Sequence, residues 1–171
     1  RLGGLARGGR RPSLTMEVLM HVEDKDLVAT LSQQDDGPTL TAAVYARVST
    51  PLSFARWLGP PGNYLVARPA ARVAAHLDAE RTDMPLDAAV VLGLGTDGLH
   101  VWAADPMLSQ VHDHLGSVEL GRIAAMRTET AKSWWPLTIT FADDESVKLE
   151  ARGDVRTFVT AFEQHRDMRE T

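Results

Sequence analysis

The last third of the chain carries a pattern that few folds accommodate. In Leu137-Thr138-Ile139-Thr140-Phe141 apolar residues alternate with threonine. After Ala142-Asp143-Asp144 the alternation returns, with Val147, Leu149 and Ala151 set between Lys148, Glu150 and Arg152. Successive side chains of a strand point to opposite faces, so each segment has one apolar and one polar face, and the acidic turn joins them as a hairpin. Gly153-Asp154 follows, with Asp154 as a helix N-cap. Val155, Phe158, Val159 and Phe162 then fall at i, i+3, i+4 and i+7, a single apolar stripe, and Arg166 and Arg169 sit where they complement the dipole of a helix end. A lone hairpin is marginal in water, so this pattern requires more strands and a shared core closed by the helix.

Further strands are legible upstream. Leu40, Ala42, Val44, Ala46 and Val48 alternate as a half-buried strand, and Leu86 to Leu94 reads as a buried strand. After the turn Thr96-Asp97-Gly98, Leu99, Val101 and Ala103 face one way and His100 and Trp102 the other, until Asp105-Pro106. Residues 117–120 read as a short strand with a bulge or bend at Gly121, and 123–128 as another strand. Apolar spacing from Met16 to Leu31, with Thr15 as cap, predicts one or two helical segments that stop before Asp35-Asp36-Gly37-Pro38. Residues 50–64, broken by Pro51, Gly59, Pro60, Pro61 and Gly62, read as loop, with a strand through 64–67 as an option. The Ala-rich stretch 70–81 reads as a helix.

Composition bounds the rest. The chain of 171 residues contains no cysteine, which excludes disulfides, thiol catalysis and Cys-type zinc or iron–sulfur sites. Its net charge of −5 argues against a general nucleic-acid binder. Residues 1–16 hold Arg1, Arg7, Arg10 and Arg11 and no acid, so the remainder carries −9. We read 1–16 as a disordered basic tail, Met16 as a candidate natural start, and 17–168 as a single domain, with the place of 17–82 in its core open. No segment approaches the roughly 20 apolar residues of a transmembrane helix, and no apolar signal-peptide core is present, so the expectation is a soluble, cytoplasmic protein.

Residues 85–165 resemble bacterial pleckstrin-homology-like (PH/GRAM-type) domains of the actinobacterial type. The residues carrying the resemblance are Ala89-Val90-Val91-Leu92-Gly93-Leu94-Gly95-Thr96-Asp97-Gly98-Leu99-His100-Val101-Trp102 and Val118-Glu119-Leu120-Gly121-Arg122-Ile123. Leu137-Thr138-Ile139-Thr140-Phe141-Ala142-Asp143-Asp144 and Val155-Arg156-Thr157-Phe158-Val159-Thr160-Ala161-Phe162 complete them. The resemblance covers about half the chain. It implies an α+β fold: an antiparallel sheet or partly open barrel capped by the C-terminal amphipathic helix, here with an N-terminal helical segment. It implies no catalysis and no cofactor. It stops short of lipid recognition, because Arg47, Arg56, Arg68 and Arg72 are scattered where a phosphoinositide site needs converging cations.

Chemistry-bearing motifs are few. Gly93-Leu94-Gly95-Thr96-Asp97-Gly98 is a literal G-x-G-x-x-G, but a strand pattern follows it where nucleotide binding needs a helix, so a hairpin is the stronger reading. His112-Asp113-His114 lacks a third metal ligand at suitable spacing and reads as a solvated loop, and His21, His76, His100 and His165 are isolated. Asp143, Asp144 and Glu145 are explained by turn chemistry. Trp134-Trp135-Pro136 is the suggestive feature. Counting back from Leu137 puts Trp135 on the core face and Trp134 outside, beside Lys132. Trp134, Lys132 and Trp57 are the candidate partner-binding residues, against the plainer reading that the rings are covered by the fold. The reading that results is a non-enzymatic module that binds a protein or peptide on a strand edge or beside the closing helix. The alternatives are a nucleotide-dependent enzyme using 93–98 and a membrane-surface adaptor using the Arg-rich tail and Trp134.

Overall fold

A computed structural model describes residues 27–33, 37–49, 59–105 and 110–169, without the side chains of 59–68. Seven strands form one antiparallel sheet in the order β4-β3-β2-β1-β7-β6-β5. They are β1 (Leu40–Val48), β2 (Ala89–Gly95), β3 (Leu99–Asp105), β4 (Gln110–Val118), β5 (Ile123–Thr128), β6 (Trp135–Phe141) and β7 (Ser146–Arg152). Three α-helices accompany them: α1 (Leu27–Ser32), α2 (Gly59–Thr82) and α3 (Val155–Arg169). This is the α+β architecture of a PH-like fold, an open antiparallel sheet with a helix at each end of the described chain.

The alternation read from the sequence sets the inner face. Leu137, Ile139, Phe141, Val147, Leu149 and Ala151 are buried together with Val155, Phe158 and Phe162 of α3. Val44, Ala46, Val48 and Ala75 join the same cluster, so β1 and α2 share the core of the later strands. Asp154 caps α3 as expected, its Oδ1 accepting from the Thr157 amide at 3.1 Å. The β6–β7 turn closes with the Asp144 amide donating to the Phe141 carbonyl at 3.1 Å and Asp144 at φ 67°.

Several expectations are corrected. The strand through 64–67 and the expected loop from 59 onward are replaced by α2, which already runs from Gly59, while 50–58 lie outside the described residues. Pro60 and Pro61 fall in its first turn, where the missing amide has no intrahelical partner to lose, so the prolines that read as loop start a helix instead. The helix ends at Asp83, φ 52°, where Arg122 donates to the Thr82 carbonyl at 3.2 Å and pairs with the Asp83 carboxylate at 3.0 Å. Gly121 lies in a 3-10 turn, Leu120–Arg122, and forms no bulge. The strand expected at 117–120 is the end of the longer β4, which also takes in His112-Asp113-His114, so that segment is not a loop. Of the N-terminal helical reading, the described part is α1. The proposed tail and the turn at 35–36 lie outside the described residues.

The faces of β1 and β3 also differ from the half-buried expectation. Leu27 and Leu31 of α1 pack with Leu40, Tyr45, Val91 and Trp102 in a second cluster, on the sheet face opposite the main core. Strands with apolar residues on both faces are what such two-sided covering requires.

Two predictions follow from this packing. Phe158→Ala and Leu149→Ala each remove a fully buried side chain from the main core, and each is expected to cost about 2–5 kcal/mol in denaturant unfolding. Unchanged midpoints in both would refute the assignment of the core face. At Gly93 an added Cβ would lie 2.7 Å from the Trp102 ring and 2.9 Å from Leu40. Gly93→Ala is therefore expected to destabilise by about 1–3 kcal/mol through overpacking, whereas relief without cost would show that the α1 cluster is loosely held.

Candidate functional site

The polar face of the C-terminal strands is the surface that the candidate residues share. Register places its side chains in rows. Arg127 of β5, Thr138 of β6 and Lys148 of β7 lie side by side, and Pro136, Glu150 and Arg47 form the next row. Trp135 pairs with Ala151 and Tyr45 with Arg152, which brings Trp134 next to Arg152 at the end of the face. The Arg47 guanidinium lies 4.1 Å from the centroid of the Trp134 ring and that of Arg152 lies 5.5 Å from it. Arg152 also stands 5.3 Å from the Tyr45 ring. Arg47 is held in turn by Glu150, 2.6 Å from the carboxylate. A guanidinium over an indole contributes roughly 0.5–1 kcal/mol at an exposed site, so Arg47 helps to hold the half-buried Trp134 ring in place.

The parity argument is met. Trp135 packs against the main core, with the Arg156 guanidinium 5.0 Å from its ring, while Trp134 lies on the outer face. Both rings are half-buried, so the covered reading is right for part of each. Lys132 is exposed in the β5–β6 loop, which Arg156 of α3 ties down by donating to the Thr130 hydroxyl at 2.8 Å. Trp57 lies outside the described residues. Sequence reasoning missed Arg47 and Arg152 as neighbours of Trp134. Only the pairing of β1 with β7 joins them, across a hundred residues of chain.

The G-x-G-x-x-G alternative is corrected by geometry. Residues 93–98 close the β2–β3 hairpin, the Gly95 amide donating to the Gly98 carbonyl at 2.9 Å. β3 follows directly, so no helix N-terminus faces this turn, and the Trp102 ring and Leu40 occupy the space over Gly93. Among the described residues, no group of three or more His, Cys, Asp or Glu side chains is placed to hold a metal ion, and no helix is long and apolar enough to cross a membrane.

His100 and His114, read as isolated and as loop, are brought together by β3 and β4. His100 is buried, its Nε2 is 3.0 Å from Asp97 Oδ1, and its Nδ1 is 3.4 Å from His114 Nε2. The Trp102 ring lies 5.0 Å from the His114 ring, centroid to centroid. The proton arrangement that satisfies this chain has His100 Nε2–H donating to Asp97 and His114 Nε2–H donating to His100 Nδ1. The bond from His100 holds the Asp97 carboxyl below its usual range. Desolvation against the sheet, with a smaller repulsion from His100, lowers the His114 imidazole below its ordinary value.

Both shifts act in the same direction. Below the ordinary histidine value of 6.5 the unfolded chain takes up a proton at position 114 that the folded chain resists, so stability is present above that value and falls on acidification. Asp97 contributes stability above its ordinary 3.8 that is lost as the pH falls through its lower folded value. The melting temperature is expected to hold above about pH 7 and to decline below it. His114→Asn is expected to flatten the upper part of that decline. A variant curve parallel to the wild type down to pH 5 would refute the role of His114.

The chain matches no protein-family model and no curated protein. Among solved structures it is similar to the MyTH4-FERM MF1 domain of myosin VII from Dictyostelium discoideum, with a TM-score of 0.38 and 12% identity. That likeness covers 76% of this chain and 18% of the other, so this chain spans less than a fifth of the length of the myosin chain it matches.

Proposed function

We propose that this chain is a non-enzymatic binding module for a protein or peptide partner, a single PH-like domain of the bacterial, actinobacterial type acting in the cytoplasm. The type rests on the resemblance of residues 85–165. The observation that carries the binding reading is the outer face of β5, β6 and β7. It stays polar and partly open while β2 and the start of β3 are covered on both sides, and it carries a half-buried tryptophan at its end. An aromatic ring held rigid between cations is suited to anchor a partner, because little rotamer freedom is lost on contact. Trp134 and Lys132 are the proposed contact residues, with Trp57 as a further candidate. The nucleotide-dependent alternative loses its support at the β2–β3 hairpin. The membrane-surface alternative is weakened at Trp134, whose ring is half-buried with the Arg47 guanidinium over it.

The test compares wild type, Trp134→Ala and Lys132→Ala in cross-linked affinity capture, followed by calorimetry with the captured protein after purification. A partner binding wild type with defined stoichiometry, and at least about tenfold weaker to Trp134→Ala, is the expected result. Melting curves of the variants serve as the folding control. A purified partner that binds both variants as tightly as wild type would move the contact surface elsewhere.

A further inference from the structure

The outer face of β5, β6 and β7, with the neighbouring end of β1, carries more cations than anions. Arg127, Lys148, Arg47 and Arg152 lie on it, with Lys132 in the loop at its end. Among the described residues Glu150 and Glu129 stand among them, with Asp143 and Asp144 at the far hairpin turn, although acids outnumber bases over the whole sequence, 23 to 18. Glu150 is committed to Arg47. Arg127, Lys132 and Lys148 form no ion pair among the described residues and are exposed. Unpaired cations repelling one another on a strand face oppose folding slightly, and they are the sign complement of an anionic ligand.

We infer that this face is the docking surface for an acidic polypeptide segment, with carboxylates set against Lys148, Arg127 and Lys132 and an apolar side chain against the Trp134 ring. The inference rests on the binding-module reading above and narrows it to a partner of stated chemistry. Three features favour a polypeptide over a continuous anionic surface. The free cations Arg127 and Lys148 stand on β5 and β7 with β6 between them, two strand steps of about 5 Å each apart, a separation that side chains of an extended peptide can span. Glu129 and Glu150 stand among them, which a polyphosphate or lipid surface would meet as repulsion and a peptide with alternating charged and neutral residues would not. The opposite end of the β6–β7 hairpin carries Asp143 and Asp144, so the face has a basic end and an acidic end that orient a chain laid along it.

The test uses the full chain and a fluorescein-labelled peptide of alternating Glu and Ala, about 12 residues, long enough to cross the face. The expected result is saturable binding by anisotropy that falls steeply with added salt, with none for the Gln-Ala counterpart. The Arg127→Glu/Lys148→Glu double variant, on exposed positions, is expected to bind at least about tenfold more weakly with an unchanged melting temperature. Vesicles with anionic phospholipid form the other arm. Binding to vesicles and not to the Glu-Ala peptide overturns the polypeptide occupant. Glu-Ala binding that the charge reversal leaves unaltered overturns the assignment to this face. Failure to bind Glu-Ala peptide while the captured partner still depends on Trp134 would overturn this inference alone and leave the binding-module reading standing.

Discussion

The sheet depends on β1. This strand pairs along Leu40–Arg47 with β2 and along Tyr45–Val48 with β7, so it alone joins the strands that precede η-turn residues 120–122 to the hairpins that follow them. Its alternation serves two cores at once. Val44, Ala46 and Val48 face the main core, while Leu40 and Tyr45 face the cluster under α1. A slip of one residue in its register would exchange those two sets and bring Arg47 into the core. The pairing is non-local, with partners about fifty residues away on one side and a hundred on the other, which makes closure of β1 against β7 a slow step by topology.

That closure also makes the candidate surface. Arg47 enters the outer face only because β1 lies beside β7, and its contacts with Glu150 and Trp134 follow from that. The same face is left uncovered by α1, which packs over β1, β2 and β3, and by α3, whose Phe158 and Phe162 occupy the opposite side. Structure and proposed function thus share a cause. β2 and the start of β3 are sealed on both faces by apolar side chains, and the β5–β7 side keeps a polar face where Arg127 and Lys148 form no ion pair among the described residues.

The histidines show a different consequence of register. β3 and β4 do not pair evenly. Trp102 stands opposite His114 and Ala104 opposite Val111, so an extra residue on β4 bends the edge at this point. Such irregularities blunt an edge against pairing with another chain. Here the bend coincides with the Asp97–His100–His114 chain of contacts, which ties the β2–β3 turn to the edge strand and links the order of this corner to protonation.

Local pattern alone determined much of the fold. The alternation at 42–48, 99–104, 137–141 and 147–151 specified strands and the face each turns to the main core, but not the burial of Leu40, Tyr45, His100 and Trp102. The stripe from Val155 to Phe162 with Asp154 before it specified the closing helix, and Trp135 was placed inward by the same count. These are legible because period and capping are properties of neighbouring residues. Tertiary structure decided the rest. It extended α2 through Pro60, Pro61 and the β-prone 64–67, buried Trp102 under α1 and His100 between Asp97 and His114, made His112-Asp113-His114 an edge strand, and stacked Arg47 and Arg152 with Trp134. No spacing in the sequence encodes those contacts, because each depends on which strands become neighbours, and that is settled by the shared burial of faces far apart in the chain.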